Sequence, residues 1–180
     1  MKMRIIGGQA KGRKLKGVSS KEDIRPTQDR VREALFNILG DEVVGCRFLD
    51  LYAGYGSVGL EAVSRGAEEV VLVEKKTGLV QLIKENIALL EIEAKVRVYR
   101  SELPGLLKRL ASPYDIIFLD PPYQKGLTEP TLREILTRSL IKKDGLIIAE
   151  HHCRKKIGVE GLTLFRKSSY GESQLSFYRL

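Results

Sequence analysis

The chain has 180 residues, is 43% hydrophobic and 30% charged, carries a net charge of +8 and contains two cysteines, Cys46 and Cys153. That length buries a full core as one globular domain with no disulfide framework, which fits a reducing, cytoplasmic setting. Residues 51–60, the longest run without a charge, fall short of the roughly 20 apolar residues of a membrane span, and the amino end lacks the apolar run of a secretory signal.

Charge is unevenly distributed. Residues 1–21 hold Lys2, Arg4, Lys11, Arg13, Lys14, Lys16 and Lys21 without an acid, leaving 24 basic against 23 acidic residues in the rest of the chain. Short apolar pieces around glycines, "MRIIGG" and "LKGV", read as a small β-hairpin. The sequence therefore divides into a basic hairpin arm, residues 1–24, and a nearly neutral domain, residues 25–180. A structured basic arm suits a polyanion, and nucleic acid is the expected partner.

In "RPTQDRVREALFNILG", Pro26 biases Arg25 away from helical angles and Thr27 is a good N-cap. Val31, Ala34, Leu35, Ile38 and Leu39 make one apolar helical face, and Gly40 ends it. Next come a strand in "CRFLDLYAG", a helix closed by Gly66, a strand in "EVVLVEKK" and a helix from Thr77 to about Leu90. "KVRVYR" is a strand, "ELPGLLKRL" a helix and "YDIIFLD" the fourth strand. "TEPTLREILTRSL" is a helix with Thr128 as its cap and Pro130 in the first turn. "DGLIIAEH" is the fifth strand, and "LTLFRKSSYG" with "SQLSFYRL" forms a closing antiparallel hairpin turned by Tyr170 and Gly171. Alternating strands and helices predict a doubly wound, mainly parallel α/β sheet. Such sheets bind ligands at the carboxyl ends of their strands, where Asp50 and Asp120 stand.

"DLYAGYGSVGLE" places Gly54, Gly56 and Gly59 between a strand and a helix, and Glu74 ends the next strand. The spacing matches a dinucleotide fingerprint. S-adenosylmethionine also needs close backbone approach and an acid for its ribose, but it carries an ammonium and a sulfonium in place of phosphates. Asp50, directly before the loop, suits those cations. The motif alone leaves the two cofactors open.

The segment "IIFLDPPYQKG" runs a core strand into Asp120, Pro121, Pro122 and Tyr123. An exocyclic amine on a nucleobase is a poor nucleophile because its lone pair is delocalised into the ring. A carboxylate and a backbone carbonyl accepting its two N–H bonds favour the pyramidal nitrogen of the transition state. Asp120 supplies one acceptor and the Pro121 carbonyl the other. The prolines bring no competing N–H and stiffen the loop. Tyr123 is placed to stack on a base.

"DPPY" with "DLYAGYGSVGLEAVSRGA", preceded by "IIGGQAKGRKL" and "RPTQDRVREALFNIL", resembles the RsmD-type 16S rRNA guanine-N2 methyltransferases, from Arg4 to the terminal "YGESQLSFYRL". The resemblance implies a Rossmann-like class I methyltransferase sheet of seven strands with a reversed last strand, acting on 16S rRNA; a monomer is the default expectation. It implies S-adenosylmethionine held by Asp50, Tyr52, Ala53, Gly54, Gly56 and Glu74, with Lys75, Ser101 and Glu102 beside them. Asp120, Pro121, Pro122 and Tyr123 would form the guanine amine site. Arg4, Lys11, Arg13, Lys14 and Lys16 of the hairpin would hold rRNA; Thr27 and Arg30 read either as a helix cap and a surface arginine or, with the extended "RPT" folded over the cofactor pocket, as substrate contacts. Two positions depart from the pattern: Lys76 follows Lys75, and "YRSELPGLL" offers Glu102 where an aspartate is expected. The rival readings are a DNA or other nucleic-acid amino-methyltransferase acting on adenine N6, an NAD-dependent oxidoreductase, and a non-catalytic RNA-binding assembly factor.

"EHHCRKK" is discounted as a metal site, because adjacent ligands at His151, His152 and Cys153 point different ways. Neither cysteine sits in a P-C dipeptide, so no thiolate nucleophile is expected. Glu150 reads as a surface or supporting acid.

Overall fold

The computed structural model describes residues 3–17, 29–110 and 113–180. Strands β1 (Met3–Arg4) and β2 (Lys14–Leu15) form an antiparallel hairpin. Helix α1 (Asp29–Leu39) leads through a short 3-10 turn into β3 (Arg47–Leu51), α2 (Ser57–Ser64), β4 (Glu69–Glu74), α3 (Thr77–Leu90) and β5 (Val96–Arg100). Then follow β6 (Tyr114–Leu119), α4 (Thr128–Thr137), β7 (Ile141–His152), β8 (Thr163–Tyr170) and β9 (Ser173–Arg179). The seven-stranded sheet has the order β5-β4-β3-β6-β7-β9-β8. Its first five strands run parallel, and β9 is antiparallel to both neighbours. This is the doubly wound, mainly parallel sheet expected from the alternating pattern, with the seven strands and reversed last strand that the resemblance implies. The strand order reverses between β3 and β6, so Asp50 and Asp120 flank the crevice at the switch point.

Both sheet faces are covered, which explains why the central strands read as continuous apolar runs. Phe48, Val70, Leu72, Ile116, Phe118 and Ile148 pack beneath α1, α2 and α3. Leu49, Leu51, Val71, Val73, Ile117 and Leu119 pack on the α4 side.

The amino-terminal hairpin is built into this core. Met3, Ile5 and Leu15 are buried, each contributing about 1.5–3 kcal/mol. The Glu61 carboxylate, wholly buried in α2, accepts the N–H groups of Ile6 (2.8 Å) and Gly7 (2.7 Å) and the Arg65 Nε–H (2.9 Å). Buried Arg32 stands 3.7 Å from the same carboxylate and donates to the Arg4 carbonyl at 2.7 Å. The hairpin tip caps the end of α2, where Gln9 N–H donates to the Ser64 carbonyl at 2.7 Å and Ala10 N–H to Ser64 Oγ at 2.9 Å. Gly8 makes this approach possible: its φ is +75°, and a Cβ there would fall 1.9 Å from the Ser64 carbonyl oxygen. Arg13 closes the end of α3 by donating to the Leu89 carbonyl at 2.6 Å.

That docking fixes where the hairpin lies. Helices α2 and α3 start just past the carboxyl ends of β3 and β4, so their last residues reach the amino edge of the sheet. The tip of the hairpin is therefore at the end of the molecule away from Asp120. An appended arm was expected, and a fixed part of the domain is found.

Three local expectations are also corrected. "ELPGLLKRL" gives only a 3-10 turn, Gly105–Arg109, because Pro104 lacks a donor and Gly105 has little helical preference. Thr128 is the first residue of α4 rather than its cap, with Leu127 preceding it, and the helix stops at Thr137. Strand β7 begins at Ile141, earlier than expected, because Ile141 pairs with Tyr114 across an irregular register.

Candidate active site

The glycine loop is held from beneath by two carboxylates. Asp50, 1% exposed, accepts the Gly59 N–H at 2.9 Å through Oδ2. A Cβ at Gly59 would lie 2.4 Å from Leu72 Cδ2, so glycine lets α2 approach the sheet closely enough for that bond. Burial pushes the Asp50 carboxyl up to about 7; the Glu74 charge adds to this and the Gly59 N–H opposes it. Glu74 ends β4 and organises the loop above it. Its Oε2 accepts the Gly54 N–H and its Oε1 accepts those of Lys75 and Lys76, all at 2.9 Å. An ionised carboxylate has about four acceptor positions, so Glu74 retains capacity for a ligand hydroxyl.

The other loop residues lie where the sequence places them. Tyr52 adopts a left-handed φ of 64° and its hydroxyl meets Thr131 Oγ1 at 2.7 Å. Ala53 N–H donates to the Val73 carbonyl at 2.9 Å, and Gly56, with φ 75°, opens α2. Ser101 N–H donates to the Glu74 carbonyl at 3.0 Å, which puts "YRSE" beside the loop. An open cleft of about 440 Å³ is lined by Lys75, Lys76, Arg100, Ser101 and Glu102. Lys75 Nζ lies 3.8 Å from Glu102 Oε1 across it. All nine residues named for the cofactor thus gather at the carboxyl ends of β3, β4 and β5.

Asp120 follows β6, its N–H reaching the Leu51 carbonyl at 3.3 Å. Among the described residues no donor reaches its carboxylate. Burial, then the charges of Glu150 and Asp50, hold this carboxyl well above the usual carboxylate range. Glu150 reaches it because Leu119 pairs with Ala149, so residue 120 leaves β6 beside residue 150 of β7. Pro121 is buried and Pro122 exposed, and a 3-10 turn, Tyr123–Lys125, completes the loop. Tyr123 is half-buried rather than fully exposed. Its hydroxyl lies 2.9 Å from Ser173 Oγ and donates to Glu150 Oε1 at 3.3 Å, and its ring meets His152 edge-on at 6.2 Å. Burial pushes the phenol pKa upward; the Ser173 bond opposes this, and the Glu150 and Asp120 charges reinforce it.

Glu150 is buried at the centre of this arrangement and is not a surface acid. Sequence reasoning undervalued it, although its place at the carboxyl end of the strand after "LDPPY" was a usable signal. Ser173 and Thr131, which fix Tyr123 and Tyr52, carried no signal at all. The basic residues named for RNA do not join the site. Arg4 stands 4.0 Å from Asp29, Lys16 pairs with Glu85 at 3.1 Å, and Lys11, Lys14 and Arg30 are exposed. Thr27 lies outside the described residues.

Residues 3–179 match the family model described as Conserved hypothetical protein 95. Ribosomal RNA small subunit methyltransferase D of Escherichia coli K12 is 36% identical over 186 residues, covering 95% of this chain and 93% of that protein. Among solved structures, yhhF from Escherichia coli has a TM-score of 0.88 at 35% identity, covering 99% of this chain and 97% of that one. A more distant fold relative, solved in complex with SAH, has a TM-score of 0.70 at 17% identity over 87% of this chain and 50% of its own. The fold is that of the S-adenosylmethionine-dependent methyltransferases, and among the described residues no helix is long and apolar enough to cross a membrane. With a matching family model and curated relatives alike over nearly their whole length, the chain belongs to the Conserved hypothetical protein 95 family, that of the small-subunit rRNA methyltransferase D proteins.

Proposed function

We propose that the protein methylates the exocyclic N2 amine of a guanine in small-subunit rRNA, with S-adenosylmethionine as the methyl donor. The observation that carries this reading is the Asp120 carboxylate, free of donors among the described residues and placed across the switch point from the loop that Glu74 organises. The residues present fit the cofactor. Glu74 keeps acceptor capacity for ribose hydroxyls, a Cβ at Gly54 would meet nothing closer than the Tyr52 carbonyl oxygen at 4.0 Å, and buried Asp50 offers negative charge where a cationic ligand relieves its repulsion with Glu74. When bound, the cofactor supplies an electrophilic methyl on a positively charged sulfur.

The remaining work falls to this chain's own groups. Asp120 and the Pro121 carbonyl accept the two amine hydrogens and turn the nitrogen lone pair out of the base plane. As the new N–C bond forms, one proton passes from the amine to Asp120. Burial, and then the charges of Glu150 and Asp50, make that carboxylate a better base than an exposed one. Tyr123, pinned at its hydroxyl, offers one ring face to the base. Lys11 and Lys14, with Arg4, Arg13, Lys16 and Arg30, are RNA contacts of the hairpin side, away from the reacting amine.

The test is methyl transfer from labelled S-adenosylmethionine to unmodified small-subunit particles, naked rRNA and duplex DNA, followed by nucleoside analysis. Label in N2-methylguanosine supports the whole reading. Label only in methyladenine, or none, sinks it.

A further inference from the structure

We propose that the phosphates flanking the target nucleotide are held by a cationic rim formed by Arg154 and Lys156, with Lys155 and Lys125 alongside. This rests on the reading of the protein as an RNA methyltransferase and says where that RNA lies. The hairpin cannot serve the reacting base directly. Its tip caps the far ends of α2 and α3, separated from Asp120 by at least the length of five-residue β3, roughly 16 Å. A base delivered to Asp120 carries its own phosphates within a few ångströms of the catalytic loop. Cations to receive them must stand at the carboxyl ends of β6 and β7.

The "HHCRKK" segment supplies them. Just past β7, the Lys155 N–H donates to the His152 carbonyl at 2.9 Å and the Arg154 N–H to His152 Nδ1 at 3.1 Å, fixing a tight turn. The Lys155 ammonium donates to the Tyr123 carbonyl, which ties the turn to the Asp-Pro-Pro-Tyr loop. Arg154, Lys155 and Lys156 are all exposed, as is Lys125 at the end of the 3-10 turn. Among the described residues none of the four has an acid within ion-pair distance. Two acids stand nearby and are occupied: Glu129 accepts the Gly158 N–H at 3.3 Å, and Glu172 lies 4.0 Å from His152 Nε2. Unpaired cations beside a base-accepting pocket match a nucleic-acid backbone, whose affinity comes from neutralised phosphates.

The experiment compares the wild type with Arg154→Gln/Lys156→Gln and with Lys11→Gln/Lys14→Gln, on naked small-subunit rRNA and on assembled particles. It reads RNA affinity across a salt series, methyl transfer, and cofactor affinity by calorimetry. The rim variant is expected to lose about tenfold or more in RNA affinity and to flatten the log–log salt slope by about 1.4–1.8. Cofactor affinity stays unchanged, and the effect on transfer falls on KM for RNA more than on kcat. Wild-type affinity and slope in the rim variant would overturn the proposal. So would a loss confined to assembled particles, which would assign the rim to a protein surface. A wild type that transfers no methyl to RNA, yet loses RNA affinity through the rim, would overturn the reaction and leave the surface standing.

Discussion

The two halves of the crevice treat their acids in opposite ways. On the β3–β4 side, Asp50 and Glu74 together accept four backbone N–H groups, from Gly59, Gly54, Lys75 and Lys76. On the β6–β7 side, Asp120 accepts none among the described residues, because Pro121 and Pro122 replace the residues whose amides would have reached back. A carboxylate held by fixed amides keeps its position, which suits binding. One that is crowded by other acids and lacks donors is poised to take a proton. The contrast separates a half that holds from a half that reacts, on strands that are neighbours in the sheet.

The sharpest way to break that comparison is Asp120→Ala. It is expected to lower kcat by about 10²–10⁴ while the cofactor dissociation constant changes less than about twofold; an unchanged kcat would end the assignment. Glu74→Ala should do the reverse, weakening the cofactor by about 10–100-fold through lost charged hydrogen bonds, with kcat at saturation largely kept. Equal losses in both parameters would show that the halves are not separable.

Titration sharpens the comparison further. The Asp50 carboxyl is raised in the folded protein to about 7, from about 3.9 unfolded. The stability it contributes is therefore full below about pH 4 and is lost as pH rises through about 7. Asp50→Asn should remove that slope from denaturant midpoints measured between pH 4 and 8. In the wild type, affinity for the cationic cofactor should rise over the same window, and a flat profile would place Asp50 away from the cofactor's charge. The smallest effect is expected of Tyr123→Phe, which removes the bonds to Ser173 and Glu150 and keeps the ring. A drop in kcat of about three- to tenfold is expected; a collapse as deep as that of Asp120→Ala would make the hydroxyl, not the ring, the working part.

Most of the fold was legible because central strands buried on both faces and helices with one apolar side leave different periods in the sequence. The cofactor half was legible as well, since its parts are consecutive: a glycine loop, an acid before it and an acid ending the next strand. The reactive half was only partly so. Asp120 and its prolines announce themselves and Glu150 marks the next strand, but Ser173 reaches Tyr123 only through the pairing of β7 with β9, a long-range register that no local pattern encodes. The hairpin was read by charge, and charge concealed its second character. Met3, Ile5 and Leu15 alternate with lysines and arginines, so one side faces solvent while the other seats on Glu61 and Ser64. Arg32 was hidden for a similar reason, because nothing in a helical period marks an arginine destined to lie beneath a hairpin.

The docking of that hairpin also has a consequence in time. Ile6 and Gly7 find their acceptor 55 and 54 residues further along the chain, Lys16 its partner 70 further and Arg13 its carbonyl 76 further. At synthesis rates of about 5–20 residues per second, the hairpin waits roughly 3–15 seconds for the groups that hold it. The hairpin thus stays undocked until α2 and α3 are made, and its closing joins residues 6–16 to helices made later.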